Sequence, residues 1–289
     1  MSGTAVAVVG LVPHRDRPVA HELAQRAAEW LTARGIDVRV LADDADACGL
    51  THLAAPPEAF PRGLDLAISL GGDGTMLRTV DLAYEAGAAV LGVNVGQMGY
   101  LAEVEPGDLD AALERVIAGD FEVEERMVLE VVVGSRGPAG GRWWALNEAV
   151  IEKVRTGRLV RLEVTINGTF FTTYAADGVI VATPTGSTAY SFSARGPIVS
   201  PRHRCLLLTP VSPHMLFDRS LVLDAEEELH FRIADERSVM LTLDGRELGD
   251  LHAGDTVSCT GGPKPARVVT FGPRDFHQIL KAKFGLADR

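Results

Sequence analysis

A glycine-rich loop at residues 71–75, with the sequence GGDGT, contains the residues best suited to chemistry. It follows an apolar run at 66–70 and precedes a segment of helical spacing, so it is predicted to connect a strand to a helix. Glycines let the backbone approach a phosphate closely, with its amides directed at the anion. Asp73 would repel that phosphate unless it binds a metal ion or accepts a proton, as a carboxylate does from an attacking hydroxyl in phosphoryl transfer.

Two other interpretations of this loop are open. A tight turn in which Asp73 caps the following helix would explain the same residues without any chemistry. The GGDG sequence also suits phosphofructokinases and lipid kinases. The loop alone therefore indicates a kinase without indicating its substrate.

A second polar segment, TPTGSTAY at residues 183–190, follows a predicted strand that begins at Gly178. Its hydroxyl groups and backbone amides suit the amide and ribose edges of a nucleotide, and its small residues leave room for a flat ligand. A helix start capped by Ser187 or Thr188 is the structural alternative. Four hydroxyl residues in six positions are more than a cap requires, which favours nucleotide binding.

Two more groups of polar residues are candidates, each with a structural alternative. Asn147 and Glu148 could read adenine or ribose hydroxyls by hydrogen bonding, although such a pair also suits a surface turn. A basic cluster follows them and could meet phosphates, or could protect a solvated hairpin edge with charge. This cluster consists of Lys153, Arg155, Arg158 and Arg161.

The composition narrows the class of protein. The chain has 289 residues, of which 46% are hydrophobic and 23% charged, as in a soluble globular protein with room for two domains. Its net charge of −11 argues against sequence-independent nucleic-acid binding. No apolar run is long enough to span a membrane, and the N-terminus does not resemble a secretory signal. Three widely spaced cysteines favour reduced thiols, so a cytoplasmic location is predicted.

The elements that must position these residues change character near residue 121. Before it, short apolar runs alternate with segments of helical spacing, as in a parallel α/β sheet. After it, strand-like runs follow one another, and Asn167-Gly168 between two of them is a strong hairpin signal. An antiparallel β domain fits this pattern. Residues 276–284 return to helical spacing.

Taken together, these motifs resemble the NAD kinase family. Their order and approximate spacing fit the family across nearly the whole chain, and residues 183–197 discriminate most because phosphofructokinases lack them. The matching segments are GGDGT at 71–75, GVNVGQMGYL at 92–101, Asn147-Glu148, Asp177-Gly178, TPTGSTAY at 183–190, SARGP at 193–197 and PHMLFDR at 213–219.

The resemblance implies an N-terminal Rossmann-like α/β domain at residues 1–120, with the tail 272–289 packing back onto it. A C-terminal β-sandwich domain at 121–271 is implied to bind NAD. The family also implies a homodimer or homotetramer whose composite active site lies where two subunits meet. ATP is the implied phosphoryl donor, with polyphosphate as the alternative, and Mg²⁺ is the implied divalent cation. Its protein ligands cannot be read from the sequence.

Carried over by position, the resemblance gives each matched residue an implied role. Asp73 matches the catalytic aspartate, which would accept the proton of the 2′-hydroxyl of the adenosine ribose as NAD becomes NADP. Asp177 matches a carboxylate that reaches the neighbouring subunit's ligand, and Arg78 a basic position that assists with phosphate. The other implied nucleotide contacts are Gly72, Gly74, Thr75, Asn147, Glu148, Arg158, Thr188, Ala189, Tyr190 and Ser193.

Two positions depart from the family's pattern. Arg195 stands where the family usually has the first glycine of SAGGP, and a non-glycine residue at positive φ would cost about 1 kcal/mol. Residues 219–224 lack a proline that is common after the family's arginine. Neither change removes a reactive group, so altered local geometry is expected rather than lost activity. A catalytically silent NAD(P)-binding regulator is the rival class, and the retention of Asp73 argues against it.

Overall fold

The computed structural model describes residues 6–96, 99–155, 157–273 and 275–286. Up to residue 126 its elements are, in chain order, β1 (Val8–Pro13), α1 (Pro18–Thr32), β2 (Asp37–Leu41), α2 (Ala42–Ala47), β3 (Ala54–Ala55), β4 (Leu66–Gly71), α3 (Asp73–Tyr84), β5 (Ala89–Asn94), α4 (Leu109–Ile117) and β6 (Glu122–Arg126). The later elements are β7 (Leu129–Gly134), β8 (Gly141–Ala145), β9 (Glu148–Lys153), β10 (Val160–Ile166), β11 (Thr169–Ala176), β12 (Gly178–Ala182), α5 (Tyr190–Ser193), β13 (Cys205–Val211), β14 (Leu221–Asp224), β15 (Leu229–Ile233), β16 (Val239–Leu243), β17 (Arg246–Leu251), β18 (Thr256–Gly261), β19 (Ala266–Thr270) and α6 (Phe276–Phe284).

The chain divides into two compact units, unit 1 with residues 1–125 and 266–289 and unit 2 with residues 126–265. Unit 1 is α/β and unit 2 is antiparallel β, so the predicted fold class is confirmed. The division differs from the predicted boundaries at 120 and 271 because β6 and β19 join the sheet of unit 1. β19 pairs in parallel with β5 and buries Val268 and Val269. α6 of the predicted tail belongs to unit 1, whereas residues 274 and 287–289 lie outside the described ranges.

The main sheet of unit 1 has the strand order β3-β2-β1-β4-β5-β19-β6. β4 and β5 are buried along their whole length, as expected for central parallel strands covered by helices on both faces. The strand order reverses between β1 and β4, which pair in parallel. In doubly wound sheets, ligands bind beyond the carboxyl ends of the strands at such a reversal. The GGDGT loop leaves β4 at this place.

Unit 2 is a β-sandwich of antiparallel sheets with the strand orders β11-β10-β15-β18-β7-β8 and β14-β13-β12-β9-β16-β17. One buried core joins the two sheets; it includes Val131, Leu162 and Phe231 of the first sheet and Val181 and Leu241 of the second. Buried residues alternate with more accessible ones along β7, the two-residue period of a half-buried strand. The sandwich forms because these alternating faces are apolar.

Two local features fix how unit 2 presents its polar residues. The predicted hairpin at Asn167-Gly168 is confirmed, since β10 and β11 pair around it with φ values of 50° and 76° at the two turn residues. β12 is buried throughout because its outer face is covered as well: Ala194 and Val199 pack against an apolar cluster that includes Ile180. The chain after β12 is thus held against the sheet that contains β9 and β12.

The three cysteines, Cys48, Cys205 and Cys259, are buried and free within the described chain, consistent with reduced thiols. Burial raises the pKa of Cys48 to about 11, so this thiol stays protonated at neutral pH. None of the described helices is long and apolar enough to cross a bilayer.

Candidate functional site

Asp73 is the first residue of α3, directly after the strand β4 and Gly72. Its carboxylate accepts hydrogen bonds from two backbone amides of a distant segment: Tyr100 N donates to Oδ2 at 3.0 Å and Leu101 N donates to Oδ1 at 3.2 Å. The alternative of a helix cap is wrong, because α3 begins without a side-chain cap among the described residues. The carboxylate is instead oriented by the segment that follows β5.

Gly99 explains how that segment can come so close. A Cβ atom at position 99 would lie 2.1 Å from Asp73 Oδ1, a distance that no real contact allows. Glycine is therefore required at position 99 of the 92–101 motif, because the Asp73 carboxylate lies so close to it. Gln97 and Met98 of the same motif lie outside the described residues.

The other loop residues have different surroundings. Around Gly72 and Gly74, an added Cβ would meet no described atom within 4 Å, so the loop backbone borders open space on these sides. Thr75 is buried, and its carbonyl accepts the Thr79 hydroxyl at 2.7 Å. The loop thus offers backbone, rather than its threonine side chain, to a ligand.

Arg78 lies on α3 and is engaged within unit 1. Its Nη2 atom is 2.7 Å from Oδ2 of Asp44, whose side chain is 1% exposed, and Arg15 Nε lies 3.6 Å from the other oxygen. A buried carboxylate needs such partners because its charge is otherwise poorly solvated. Help with phosphate binding stays a prediction for Arg78, and this ion pair would compete with it.

In unit 2, the start of β9, the end of β12 and the end of β16 lie at the same edge of a sheet. Glu148 pairs with Ala182, and Ala149 pairs with Leu243. Antiparallel pairing therefore brings Asn147-Glu148, the 183–190 segment and the turn after β16 together. Residues some hundred positions apart in the sequence become neighbours here.

Asp244, which follows β16, is a residue that the sequence analysis missed. Its Oδ2 accepts the Leu146 amide at 2.7 Å, and its Oδ1 accepts the amides of Asn147 at 2.8 Å and Glu148 at 3.0 Å. Asp244 and Gly245 have φ values of 50° and 78°, a two-residue turn between β16 and β17. The Asp-Gly pair signals that turn in the sequence, but nothing there identifies the amides that the carboxylate binds.

Glu148 is buried, so a surface turn is the wrong interpretation for this half of the pair. Burial first, and then the nearby charge of Asp244, raise its pKa to about 8, against the opposing effect of the Tyr190 amide. Its Oε2 atom has no hydrogen-bond partner in the part of the chain that the structure describes. Glu148 is therefore mainly protonated at pH 7 and can donate a hydrogen bond as well as accept one.

The TPTGSTAY segment is tied directly to Asn147. Thr183 N donates to the Asn147 carbonyl at 2.8 Å, and the Thr183 hydroxyl donates to the Leu146 carbonyl at 2.6 Å. A Cβ atom on Gly186 would lie 2.1 Å from the Asn147 oxygen, so glycine is needed there. These contacts hold the two predicted nucleotide segments in one fixed arrangement.

Some hydroxyl groups of this segment are buried and hold the backbone, whereas others are accessible to a ligand. Thr183 and Ser187 are buried, and Ser187 exchanges hydrogen bonds with the backbone of Val199. A 3₁₀ helix (Thr185–Thr188) and α5 follow, again without a side-chain cap in the described residues. The four positions implied to contact the nucleotide are all at least partly accessible: Thr188, Ala189, Tyr190 and Ser193.

Asp177 lies at the other end of β12 and forms an ion pair with Lys153. Tyr190 connects this end of β12 to the TPTGSTAY segment, since the Tyr190 hydroxyl donates a hydrogen bond to Glu152 Oε2 at 3.5 Å. Burial, and then the charges of Glu152 and Asp177, raise the pKa of Tyr190. Arg158 is exposed and lines a cavity with Lys153 rather than joining the edge near Glu148.

Arg195 adopts a φ of 67°, so the position where the family usually has glycine does require the left-handed region. The turn is held by the Arg195 amide, which donates to Phe192 O at 2.9 Å, and by the Gly196 amide, which donates to Ser191 O at 2.7 Å. A non-glycine residue there costs about 1 kcal/mol. Arg195 therefore has the positive φ that the sequence analysis considered for this position, and its effect on stability stays a prediction.

No cluster of three or more His, Cys, Asp or Glu side chains among the described residues could hold a metal ion by itself. Mg²⁺ usually binds one or two carboxylates together with substrate phosphates and water. Asp73 beside an open glycine loop fits that kind of shared site, because each of its oxygens retains a lone pair beyond the amide that it accepts.

Comparisons with known proteins cover both units. A family model described as the ATP-NAD kinase N-terminal domain matches residues 9–121, and one described as the ATP-NAD kinase C-terminal domain matches residues 146–271. An NAD kinase of Heliobacterium modesticaldum is 42% identical over 278 residues, which cover 95% of this chain and 97% of that protein. NAD kinase 2 of Streptomyces avermitilis is 40% identical, with coverages of 99% and 97%.

Solved structures give the same picture. A crystal structure of yeast NADH kinase complexed with NADH superposes with a TM-score of 0.87 at 25% identity, covering 99% of this chain and 89% of that chain. A crystal structure of an NAD kinase from Archaeoglobus fulgidus in complex with ATP has a TM-score of 0.72 and coverages of 98% and 99%. At 23% identity, this second match shows the fold alone.

Proposed function

The chain belongs to the NAD kinase family, and we propose that it transfers the γ-phosphoryl group of ATP to the 2′-hydroxyl of the adenosine ribose of NAD, giving NADP. It is a phosphotransferase with an alcohol group as acceptor. The observation that carries the mechanism is the orientation of Asp73, whose two oxygens are each held by a backbone amide beside the glycine loop.

Asp73 acts as general base in this proposal. The two amides fix the direction of the carboxylate, and the lone pairs that they leave can accept the 2′-hydroxyl proton. As that proton moves to Asp73, the ribose oxygen bonds to the γ-phosphorus and the bond to ADP breaks. Phosphoryl transfer depends mainly on positioning and on electrostatic stabilisation of the phosphates. The open backbone at Gly72 and Gly74, at the start of α3, supports such a role for the loop amides.

A divalent cation, Mg²⁺ in our proposal, would neutralise the phosphates of ATP when bound. Asp73 is the residue that would help to hold it, with the remaining ligands from ATP and water. Polyphosphate in place of ATP is the alternative donor.

Unit 2 supplies the nucleotide contacts in this proposal. Glu148, protonated at pH 7, donates to a ribose or adenine acceptor, while Asn147 offers an amide beside it. Asp244 is a positioning residue, because it binds the backbone of both. The accessible residues Thr188, Ala189, Tyr190 and Ser193 form the remaining cradle.

We also propose a homodimer or homotetramer in the cytoplasm. Asp177, whose side chain is 30% exposed, would reach the nucleotide of a neighbouring subunit from its ion pair with Lys153. Buried, free cysteines suit a reducing compartment.

The test uses the purified full-length protein with ATP, Mg²⁺ and NAD, and a coupled dehydrogenase that detects NADP. We expect NADP to accumulate in proportion to enzyme. Absence of NADP with ATP and with polyphosphate would contradict the proposed reaction, and would leave a kinase for another substrate or a silent binding protein.

A further inference from the structure

The segment Gly99–Leu101, which orients Asp73, is held differently at its two ends. Its Leu101 end is fixed to β5, because Leu101 is buried and two backbone amides further along both donate to the Gly92 carbonyl at 3.0 Å. The other end contains Tyr100, whose amide donates to Asp73 Oδ2 at 3.0 Å. The position of Tyr100 therefore decides whether both oxygens of the proposed base keep their hydrogen bonds.

Lys283 of α6 contacts the side chain of Tyr100. Its Nζ atom lies 4.5 Å from the centroid of the Tyr100 ring, within the distance at which a cation is attracted to an aromatic face. Burial, and then the charge of Asp73, raise the pKa of the Tyr100 phenol, consistent with a ring near this carboxylate. The same residue thus binds Asp73 through its backbone and Lys283 through its ring.

α6 holds Lys283 at a defined place in unit 1. The Asp275 side chain caps the start of the helix by accepting the amides of His277 at 2.9 Å and Gln278 at 3.4 Å, and Gly285 ends it with a φ of 59°. Capping at both ends stabilises a short helix. A lysine in the last turn is also favoured by the helix dipole, but the dipole does not explain its place over an aromatic ring.

We infer that Lys283 is a positioning residue for the proposed base: its ammonium group holds the Tyr100 ring, and the ring keeps the Tyr100 amide on Asp73. The inference rests on the proposed function for the role of Asp73. Lys283 acts through Tyr100 rather than through contact with a nucleotide. Loss of the cation should therefore loosen the Tyr100 end of the segment and leave the Leu101 end in place.

Hydrogen–deuterium exchange of single amides, followed by NMR on the full-length protein, measures this loosening. We expect Lys283→Gln to raise the exchange rate of the Tyr100 amide about two- to fivefold, the change in an equilibrium that an exposed cation–π contact supports. The Leu101 amide should change less, and the Glu103 amide, which is bonded to β5, should not change. Lys283→Arg should restore the wild-type rate, because a guanidinium also binds an aromatic face.

Two further variants separate the ring contact from general effects on the helix. Ala282→Gln is the matched control, because position 282 is exposed on the same helix and Lys283 stays intact. Tyr100→Leu removes the aromatic face, so adding Lys283→Gln in that background should leave exchange at Leu101 unchanged. An equal effect of Lys283→Gln with and without the ring would overturn the inference, since the lysine would then act through the helix end or its charge alone.

Turnover gives a second measurement. We expect Lys283→Gln to lower kcat for NADP formation about two- to fivefold with the KM values for ATP and NAD unchanged, because the contact orients the base and binds no substrate. Unchanged amide exchange in Lys283→Gln would overturn the inference. A raised KM for ATP without faster exchange would do so as well, since Lys283 would then bind the nucleotide itself.

The exchange measurement requires no turnover. Absence of NADP formation in the wild type would contradict the proposed function, whereas the contact between Lys283 and Tyr100 would still be tested by exchange. Normal NADP formation with unchanged exchange in Lys283→Gln would instead contradict the role of Lys283 alone.

Discussion

Asp73 in unit 1 and Glu148 in unit 2 are carboxyl groups placed in opposite environments. Asp73 is partly accessible and accepts two backbone amides, whereas Glu148 is buried and one of its oxygens has no partner in the described chain. The first arrangement suits a base that takes a proton, and the second keeps a proton that it can share with a ligand. The difference shows how surroundings, rather than residue type, assign acid and base roles.

The largest expected effect comes from Asp73→Asn, which removes the proposed base and nearly preserves the shape. We expect turnover to fall by about 10³-fold, within the range for loss of a general base. Steady-state NADP formation measures it, with Asp43→Asn, an exposed position on α2, as the control. Turnover within threefold of wild type would remove Asp73 from the mechanism.

Gly99→Ala tests whether orientation, and not only the presence of Asp73, matters. The new methyl group would overlap Asp73 Oδ1, so the carboxylate must move. A displacement of about 1 Å can reduce the rate by about 10²-fold. Gly107→Ala is the control, because its Cβ would meet no described atom within 4 Å. Equal activities of the two variants would show that the amide-held geometry is not needed.

The raised pKa of Glu148 predicts that the stability of the folded protein depends on pH. Its pKa is about 8 in the folded chain and near 4.5 when unfolded, so the folded state binds more protons between these values and stability falls as pH rises through them. We expect the free energy of unfolding to fall by roughly 3 kcal/mol from this group between pH 5 and 8.

Denaturant unfolding at several pH values measures that slope. Glu148→Gln should flatten it, Asp244→Asn should reduce it by removing the neighbouring charge, and the exposed Glu226→Gln should leave it unchanged. An identical slope in Glu148→Gln and wild type would mean that Glu148 is ionised in the folded protein at neutral pH.

The smallest effect concerns Arg195. Replacing it with glycine relieves a positive φ, and we expect the free energy of unfolding to rise by about 1 kcal/mol with activity within twofold of wild type. Thermal unfolding measures the gain, and Arg202→Gly, at an exposed position outside the left-handed region, should show none. Destabilisation by Arg195→Gly would mean that the arginine side chain contributes more than its backbone costs.

Local signals in the sequence predicted much of the fold. The Asn167-Gly168 turn and the helical spacing at 276–284 depend on neighbouring residues alone, and both are confirmed. The sheet to which β19 belongs depends on pairing with a strand about 180 residues earlier, so periodicity could not reveal it. Packing likewise determines which residues of the candidate site are accessible to a ligand. Thr183 and Ser187 look available in the sequence but are buried. Asp244 acts only through backbone amides that lie beside it because β9 pairs with β16.

The central claim is that Asp73 performs the chemistry while unit 2 determines which nucleotide is bound. The most direct measurement is the dissociation constant of NAD for Asp73→Asn, taken by calorimetry beside its turnover. We predict an affinity within about threefold of wild type, since a lost transition-state interaction lowers turnover without weakening ground-state binding. A loss of NAD affinity as large as the loss of turnover would contradict this division, because Asp73 would then be a binding residue.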